Sequence, residues 1–313
     1  MSPTGLIADR TTGDWLATGD SGDWRPATLW SPATVWKKTL IQSNCCVILA
    51  AEGCPRMTLR QVAIIPARLA STRLPGKPLL EINGRPLIQH VYERARQAPS
   101  LDDVLVATDS ESIARAVAGF GGKALLTSEK HTSGTSRILE IISNLDADVV
   151  LNLQGDEPQM PVATIEAVLA ALGRGSCPVA TACVRIRDTH TLYDENAVKV
   201  VFDTEGRALY FSRWPIPFVR GQMGLGRQPE VVSARHYKHL GIYAYTKAFL
   251  MSLKALPGST LAETEQLEQL RFLELGYSIR VVEVADDCVG VDTVEDLEKF
   301  RVQVASARSS DKW

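Results

Sequence analysis

From Gln61 onward, short apolar runs alternate with segments in which apolar residues recur every three or four positions. Residues 62–65 are four consecutive apolar positions and predict a buried strand. Pro66 cannot donate to a ladder and is expected to end it. Residues 86–97 predict a helix, with Pro86 in the first turn and Leu87, Ile88, Val91 and Ala95 on one face. A strand over 104–107, a helix over 111–118, a strand over 123–126, a helix over 133–143 and a strand over 149–153 follow. Repeated strand–helix–strand units predict an α/β fold, a mainly parallel sheet flanked by helices on both faces. Ligands of such sheets collect beyond the C-terminal strand ends. The loop after residue 65, Thr108-Asp109 and Gln154-Gly155-Asp156 all fall there.

The pattern changes in the second half. Residues 179–185, 198–202 and 207–211 read as strands, with a turn over 203–206, and together with a strand over 239–245 predict an antiparallel subregion spanning about 178–246. Residues 215–235 are rich in Gly, Pro and Arg and predict a mobile loop. Thr246 is placed to cap the next helix. Residues 262–275 predict one amphipathic helix, with Leu267, Leu270, Phe272 and Leu273 apolar and Gly276 stopping it. A strand over 278–284 and a helix capped by Thr293 and running to about 304 complete the chain. There is no internal repeat.

Composition narrows the classes. The 313 residues suffice for a sizeable core, and 45% hydrophobic with 22% charged residues is ordinary for a globular protein. The net charge of -2 gives no bulk field for nucleic acid, so any polyanion site must be local. No apolar run approaches the ~18 residues a membrane span needs. The six cysteines, at 45, 46, 54, 177, 183 and 288, lack Cys-x-x-Cys spacing and argue against zinc. Free thiols in a reducing cytoplasm are the expectation. Residues 1–57 differ: they hold four of the six tryptophans, show no period, and are rich in Gly, Ser, Thr and Asp. They are expected to be a disordered extension, or one not translated, with Met57 as the natural start. The folded domain is then 58–307, with a short tail over 308–313.

The candidate chemistry begins in the loop after the first strand. Arg68, Ser71, Thr72, Arg73, Gly76 and Lys77 form a small, cationic, hydroxyl-rich stretch. Fixed cations and backbone N–H groups in such a loop suit a triphosphate. The stretch is neither a Walker A loop nor a Gly-x-Gly-x-x-Gly turn. A solvated basic loop is the bland alternative, and the placement of three cations at one strand end favours function. Asp156 and Asp292 stand in two loops, each after an apolar strand. Two carboxylates from separate loops suit a hard cation such as Mg²⁺. On the residues alone, a turn aspartate and a helix-cap neighbour explain them equally well.

The motif Pro66-Ala-Arg-Leu-Ala-Ser-Thr-Arg-Leu-Pro-Gly-Lys-Pro-Leu79 resembles the signature loop of the 3-deoxy-manno-octulosonate (Kdo) cytidylyltransferases, the CMP-Kdo synthetases. Further matches occur in the family's order: His131-Thr-Ser-Gly-Thr-Ser-Arg137, Gln154-Gly-Asp-Glu-Pro158, Asn196-Ala-Val-Lys-Val-Val201, Ala208-Leu-Tyr-Phe-Ser-Arg213, His239-Leu-Gly-Ile-Tyr243, Leu267-Glu-Gln-Leu-Arg271 and Gly290-Val-Asp-Thr-Val-Glu-Asp-Leu297. The resemblance runs from about Leu59 to about Val304. It implies a Rossmann-like nucleotidyltransferase fold with an antiparallel dimerisation subregion, and transfer of CMP from CTP to the anomeric hydroxyl of Kdo for lipopolysaccharide core synthesis. It further implies a cytoplasmic homodimer that contacts neither nucleic acid nor membrane. By the same resemblance, Lys77, Arg73, Asp156 and Asp292 are the catalytic set, and Asp156 and Asp292 hold Mg²⁺. Ala67, Arg68, Ser71, Thr72, Arg73, Lys77, Ser133, Gly134 and Asp156 bind CTP. Arg73, Arg137, Gln154, Arg213, His239, Tyr243, Glu268 and Gln269 bind Kdo. His131 is expected to pack or orient rather than act as a base.

Two positions depart from the family pattern. Ser136 stands where Glu is usual, which is expected to relax the hold on Arg137 or to tune sugar choice. Ala262 also replaces a usual Glu. Rival functions are a CMP-sialic acid synthetase, whose first loop carries a Lys-Gly-x-x-x-Lys-Asn pattern, and a cytidylyltransferase for a related ulosonic acid such as 8-amino-Kdo. A catalytically dead nucleotide-sugar binder is the non-enzyme rival, opposed by the intact Asp156, Asp292, Arg73 and Lys77.

Overall fold

The computed structural model describes residues 59–70, 74–131, 133–173, 177–223, 232 and 235–308. Its strands in chain order are β1 (Gln61–Ala67), the short hairpin β2 (Glu81–Ile82) and β3 (Arg85–Pro86), β4 (Asp103–Thr108), β5 (Ala124–Leu126), β6 (Val149–Asn152), β7 (Val179–Arg185), β8 (Lys199–Phe202), β9 (Ala208–Ser212), β10 (Tyr237–Thr246) and β11 (Ile279–Val284). The helices are α1 (Leu87–Arg96), α2 (Glu111–Gly119), α3 (Gly134–Ile141), α4 (Val162–Leu172), α5 (Thr189–Tyr193), α6 (Lys247–Leu253), α7 (Thr260–Glu265), α8 (Gln269–Glu274) and α9 (Val294–Arg308). The main sheet has the order β11-β7-β10-β6-β1-β4-β5, with β8 on β10 and β9 on β8.

β1 is parallel to both β4 and β6, β5 is parallel to β4, and β11 is parallel to β7. β10 runs antiparallel between β6 and β7. β8 pairs antiparallel with β10 and β9 with β8, so the expected antiparallel subregion is present, and β10 carries it into the main sheet between β6 and β7. Of the four strands expected to form it, β7 also carries a parallel partner, β11, on its other edge. One apolar layer, including Ala63, Ile65, Val106, Leu151 and Ile165, lies under α1, α2 and α4. The opposite layer, including Val62, Ile64, Val150, Ile138 and Phe272, lies under α3, α6 and α8. Alternation along β1 sends Ala63 and Ile65 to one face and Val62 and Ile64 to the other.

Three local expectations are corrected and one unforeseen helix is present. β1 does not stop at Pro66 but continues to Ala67, pairing Pro66 with Ala107. Ile64 O accepts from Leu153 N at 3.2 Å, so Pro66, two residues on, turns its donor-less nitrogen to the same side, past the end of β6. No ladder bond is lost there. The helix expected over 262–275 is two helices, α7 and α8, broken at Gln266, a non-glycine residue at φ 52°. Helix α4 was not legible from the periodicity: Val162–Leu172 is apolar nearly all round, as suits a helix packed between β7, β10 and β11. Pro86 precedes α1 as its N-cap, in extended conformation, and is not inside the first turn.

The caps read from sequence are present. Thr246 Oγ1 accepts from Phe249 N at 3.3 Å, and Thr293 Oγ1 accepts from Asp296 N at 3.1 Å. Gly276 ends α8 at φ 82°, a conformation open to glycine. Residues 1–58 and the tail over 309–313 lie outside the described residues, as do 224–231, 233 and 234 in the expected mobile loop. No described helix is long and apolar enough to cross a membrane.

Candidate active site

The C-terminal ends of β1 and β6 lead into two loops that touch. Gly155 sits so close to β1 that a Cβ on it would lie 2.9 Å from Pro66 O, so only glycine fits without a shift. Gly134, at the start of α3, has the same constraint: a Cβ there would meet Pro66 Cγ at 2.9 Å. These two glycines let the loop after β6 and the N-terminus of α3 close around the end of β1. A third loop comes from the far side of the sheet. After β11 the chain returns, and Val291 N donates to Asp156 O at 2.8 Å. That bond carries Asp292 to Asp156.

Lys77 completes the group. Gly76, at φ 68°, turns the basic loop so that Lys77 opens a short helical turn. Lys77 Nζ donates to Asp156 Oδ2 at 2.7 Å and to Asp292 Oδ1 at 2.9 Å. Burial draws the ammonium's pKa down, but Asp156 and Asp292 more than offset it and hold Lys77 above the ordinary lysine value. Lys77 is therefore charged at neutral pH and faces two acceptor-only oxygens.

A cleft of about 250 Å³ opens over this group, lined by Ala67, Arg68, Lys77, His131, Ser133, Gly134, Arg137, Gln154, Gly155, Asp156 and Asp292 among others. Ser133 Oγ accepts from Ser136 N at 3.1 Å, and Ser136 Oγ accepts from Ser133 N at 3.2 Å, a reciprocal cap on α3. Ser136 thus takes the capping role open to a Glu at that position. Arg137 is not loosened by it. Its guanidinium is buried, donating to Asp109 Oδ2 at 2.7 Å, Thr127 Oγ1 at 2.5 Å and Ser128 O at 3.4 Å. His131 Nε2 lies 2.5 Å from Glu140 Oε2, in keeping with an orienting part.

A second, smaller cavity of about 90 Å³ shares Gly134 and Gln154 with the cleft and is otherwise lined by Thr135, Asn152, Tyr243, Tyr245, Glu268, Gln269 and Phe272. The bulge in β10 between Leu240 and Tyr243 sets Tyr243 opposite Asn152 here. Burial raises the Glu268 carboxyl pKa above its ordinary value. Behind the Gln154–Asp156 loop, burial first and Asp156 second push Glu157 up to about 8.

The structure thus brings Ala67, Arg68, Lys77, Ser133, Gly134, Arg137, Gln154, Asp156 and Asp292 to one cleft, and Gln154, Tyr243, Glu268 and Gln269 to the adjoining cavity. Two expected sugar ligands lie elsewhere. Arg213 lines neither cavity; it donates to the backbone carbonyls of Glu265 (2.8 Å), Glu195 (2.9 Å) and Gln266 (3.2 Å), and so fixes the break between α7 and α8. His239 is buried behind Tyr243, with ring centroids 5.3 Å apart and Nε2 3.0 Å from Thr181 Oγ1. Ser71, Thr72 and Arg73 lie outside the described residues. Sequence reasoning missed Asp109 as the partner of Arg137, and missed Asn152, Thr135 and Tyr245 in the smaller cavity. For Asn152 a signal existed: a lone amide in an otherwise apolar buried strand.

The family model for cytidylyltransferases matches residues 62–279. The 3-deoxy-manno-octulosonate cytidylyltransferase of Geobacter sulfurreducens is 48% identical over 240 residues, 76% of this chain and 96% of that protein. The chain belongs to this family. An 8-amino-3,8-dideoxy-manno-octulosonate cytidylyltransferase of Shewanella halifaxensis is 48% identical over 247 residues, covering 77% of this chain and 97% of the relative. Among solved structures, a CMP:2-keto-3-deoxy-manno-octonic acid synthetase complexed with CTP is 45% identical, covers 79% of this chain and 99% of its own, and superposes with a TM-score of 0.73. The mainly parallel, helix-flanked architecture described above is that of the nucleotidyltransferases, and the chain is a nucleotidyltransferase.

Proposed function

We propose that this cytidylyltransferase moves CMP from CTP to the anomeric 2-hydroxyl of Kdo, releasing pyrophosphate. The observation that carries this is the pair of cavities meeting at Gln154 and Gly134. One carries Arg68, Lys77 and Arg137 beside the Asp156–Asp292 pair, a lining suited to a triphosphate with a cation; the other is lined by hydrogen-bonding and aromatic side chains suited to a polyhydroxylated sugar. The acceptor oxygen forms a bond to the α-phosphorus, the bond from that phosphorus to the bridging oxygen breaks, and the hydroxyl proton is lost. Such a transfer needs positioning and charge neutralisation more than covalent help. Lys77 and Arg68 supply cations for the triphosphate. Residues 67–68 and 133–134 line the cleft, and their backbone groups are suited to reading the edge of cytosine. Gln154 spans the junction, where both reactants meet.

The charge on a triphosphate also calls for a divalent cation. Asp156 and Asp292 fit one, because their carboxylates already converge on a single point, the Lys77 ammonium. Two hard oxygen donors, with phosphate oxygens and water for the rest, suit Mg²⁺. Bound there, Mg²⁺ would neutralise charge on the triphosphate and the departing pyrophosphate. Asp156 and Asp292 are the residues to hold it.

The chain is proposed to act as a homodimer. Leu209, Trp214 and Phe218 stand exposed by 62%, 70% and 63% around β9 and the segment after it, a surface suited to a second copy. It is further proposed to work in the cytoplasm, in lipopolysaccharide core synthesis.

The test is product identification. Purified chain with CTP, Kdo and Mg²⁺ should yield a sugar monophosphate ester carrying one CMP, detected by mass spectrometry, with one pyrophosphate released per product. Parallel reactions with 8-amino-Kdo and sialic acid should run slower. A faster reaction with either would reassign the acceptor, and CTP without turnover under any acceptor would return the chain to a binding role.

A further inference from the structure

Lys77 occupies the point on which the two carboxylates converge. Its ammonium donates to Asp156 Oδ2 at 2.7 Å and to Asp292 Oδ1 at 2.9 Å, while its own side chain is only 12% exposed. A divalent cation bridging the same two carboxylates would compete for the space between them that the ammonium fills. No third His, Cys, Asp or Glu joins them in a metal-binding cluster among the described residues. Among the described residues the protein therefore brings two carboxylates, and one ammonium bridges them.

We infer that Lys77 is an internal placeholder cation: it closes the metal site while the cleft is empty, and the triphosphate opens it by drawing the ammonium onto phosphate oxygens. The inference rests on the proposal that Asp156 and Asp292 are the cation ligands, and it adds a regulation of that site. Three physical points support it. The carboxylates are acceptor-only groups, and the ammonium gives each a charge-assisted hydrogen bond that an incoming cation must displace. A divalent ion approaching the occupied pair meets a positive charge within hydrogen-bond distance of its ligands, which repels it. A triphosphate entering the cleft presents several anionic oxygens that compete for the same ammonium, and it brings oxygen ligands that complete the shell of Mg²⁺. Metal and nucleotide binding are thereby coupled with positive sign, and bare cation is held weakly.

The size follows from occupancy. If the open arrangement, with both carboxylates released, is populated to about one part in ten or less, the apparent affinity for bare cation falls about tenfold or more below that of the open site. Removal of the ammonium should restore that factor.

The experiment titrates Mn²⁺ into the full chain without nucleotide and reads free Mn²⁺ by electron paramagnetic resonance. Wild type, Lys77→Met and Lys77→Gln are compared, the second variant covering a folding failure of the first. Both variants should bind one Mn²⁺ at least about tenfold more tightly than wild type. Adding Asp156→Asn to either should remove the gain. Equal Mn²⁺ affinity in wild type and both variants would overturn the placeholder role and leave the carboxylate assignment standing, provided Asp156→Asn still weakens binding. Gain that survives Asp156→Asn, or no Mn²⁺ binding to any of the proteins, would overturn both the placeholder and the ligand assignment. Transfer of CMP by wild type is measured separately, so failure of the enzymatic reading shows independently of either result.

Discussion

Replacing Asp109 with Ala should destabilise the protein through Arg137. The guanidinium is 3% exposed and Asp109 14% exposed, so neither charge is screened by bulk water. Without the carboxylate, the acceptors left to Arg137 among the described residues are the neutral Thr127 Oγ1 and Ser128 O. Removing one partner of a buried pair costs about 3–5 kcal/mol, because it strands the other charge. Two surviving neutral acceptors place the cost at the lower end, about 3 kcal/mol. For a folded region of this size that is a fall in Tm of about 6–12 °C. Urea denaturation followed by circular dichroism measures it. The same physics predicts that Asp109→Leu with Arg137→Met recovers most of the loss, to within about 1 kcal/mol of wild type, since no charge is left stranded. The double variant should be stable yet poorly active, because Arg137 lines the cleft. A cost for Asp109→Ala below about 1 kcal/mol, or a double variant no more stable than the single one, would refute the placement of Arg137 as a buried, carboxylate-held side chain.

Other outcomes follow from the same geometry. Asp156→Asn and Asp292→Asn should each lower turnover by at least about 100-fold while shifting Tm little, as both side chains are partly exposed; wild-type turnover at limiting Mg²⁺ in either variant would remove that residue from the metal site. Gly155→Ala must push Pro66 O away and should cost about 1–3 kcal/mol with a matching loss of activity, read by denaturation and steady-state rates. Burial lowers His239 to about 3, from an ordinary 6.5, so the unfolded chain binds its proton first as pH falls. His239 therefore withdraws stability as pH drops below 6.5, about 1.4 kcal/mol between pH 7.5 and 5.5, and His239→Gln should flatten that slope. Sedimentation at micromolar concentration should give a dimer, and Trp214→Glu should shift it toward monomer.

Much of the sheet was legible because its strands are short apolar runs with a period that is hard to mistake. Residues 104–107 and 149–153 gave strands within a residue or so of β4 and β6. What was illegible has a physical reason each time. α4 is apolar on nearly every side, so it has no periodic stripe to read. The break at Gln266 depends on Arg213 clamping carbonyls 52 and 53 residues away, a tertiary contact no local pattern carries. Pro66 looked like a strand end because its missing donor counts against pairing; only the early end of β6 makes it harmless. At the site, the loop motifs located Lys77, Asp156 and Asp292, but nothing local could say that Val291 N would join Asp156 O and bring the two acids together. Arg213 and His239 read as ligands from their motifs and stand in the structure as supports for the walls around the smaller cavity.

The most direct test of the account is pyrophosphate release by the purified chain with Mg²⁺ and Kdo, measured in turn with CTP, UTP, ATP and GTP. The cleft and its neighbouring cavity predict rapid, Kdo-dependent release with CTP, much slower release with the other three nucleotides, and loss of the CTP signal in Asp292→Asn. Release that is independent of Kdo, that prefers a purine nucleotide, or that persists unchanged in Asp292→Asn would contradict it.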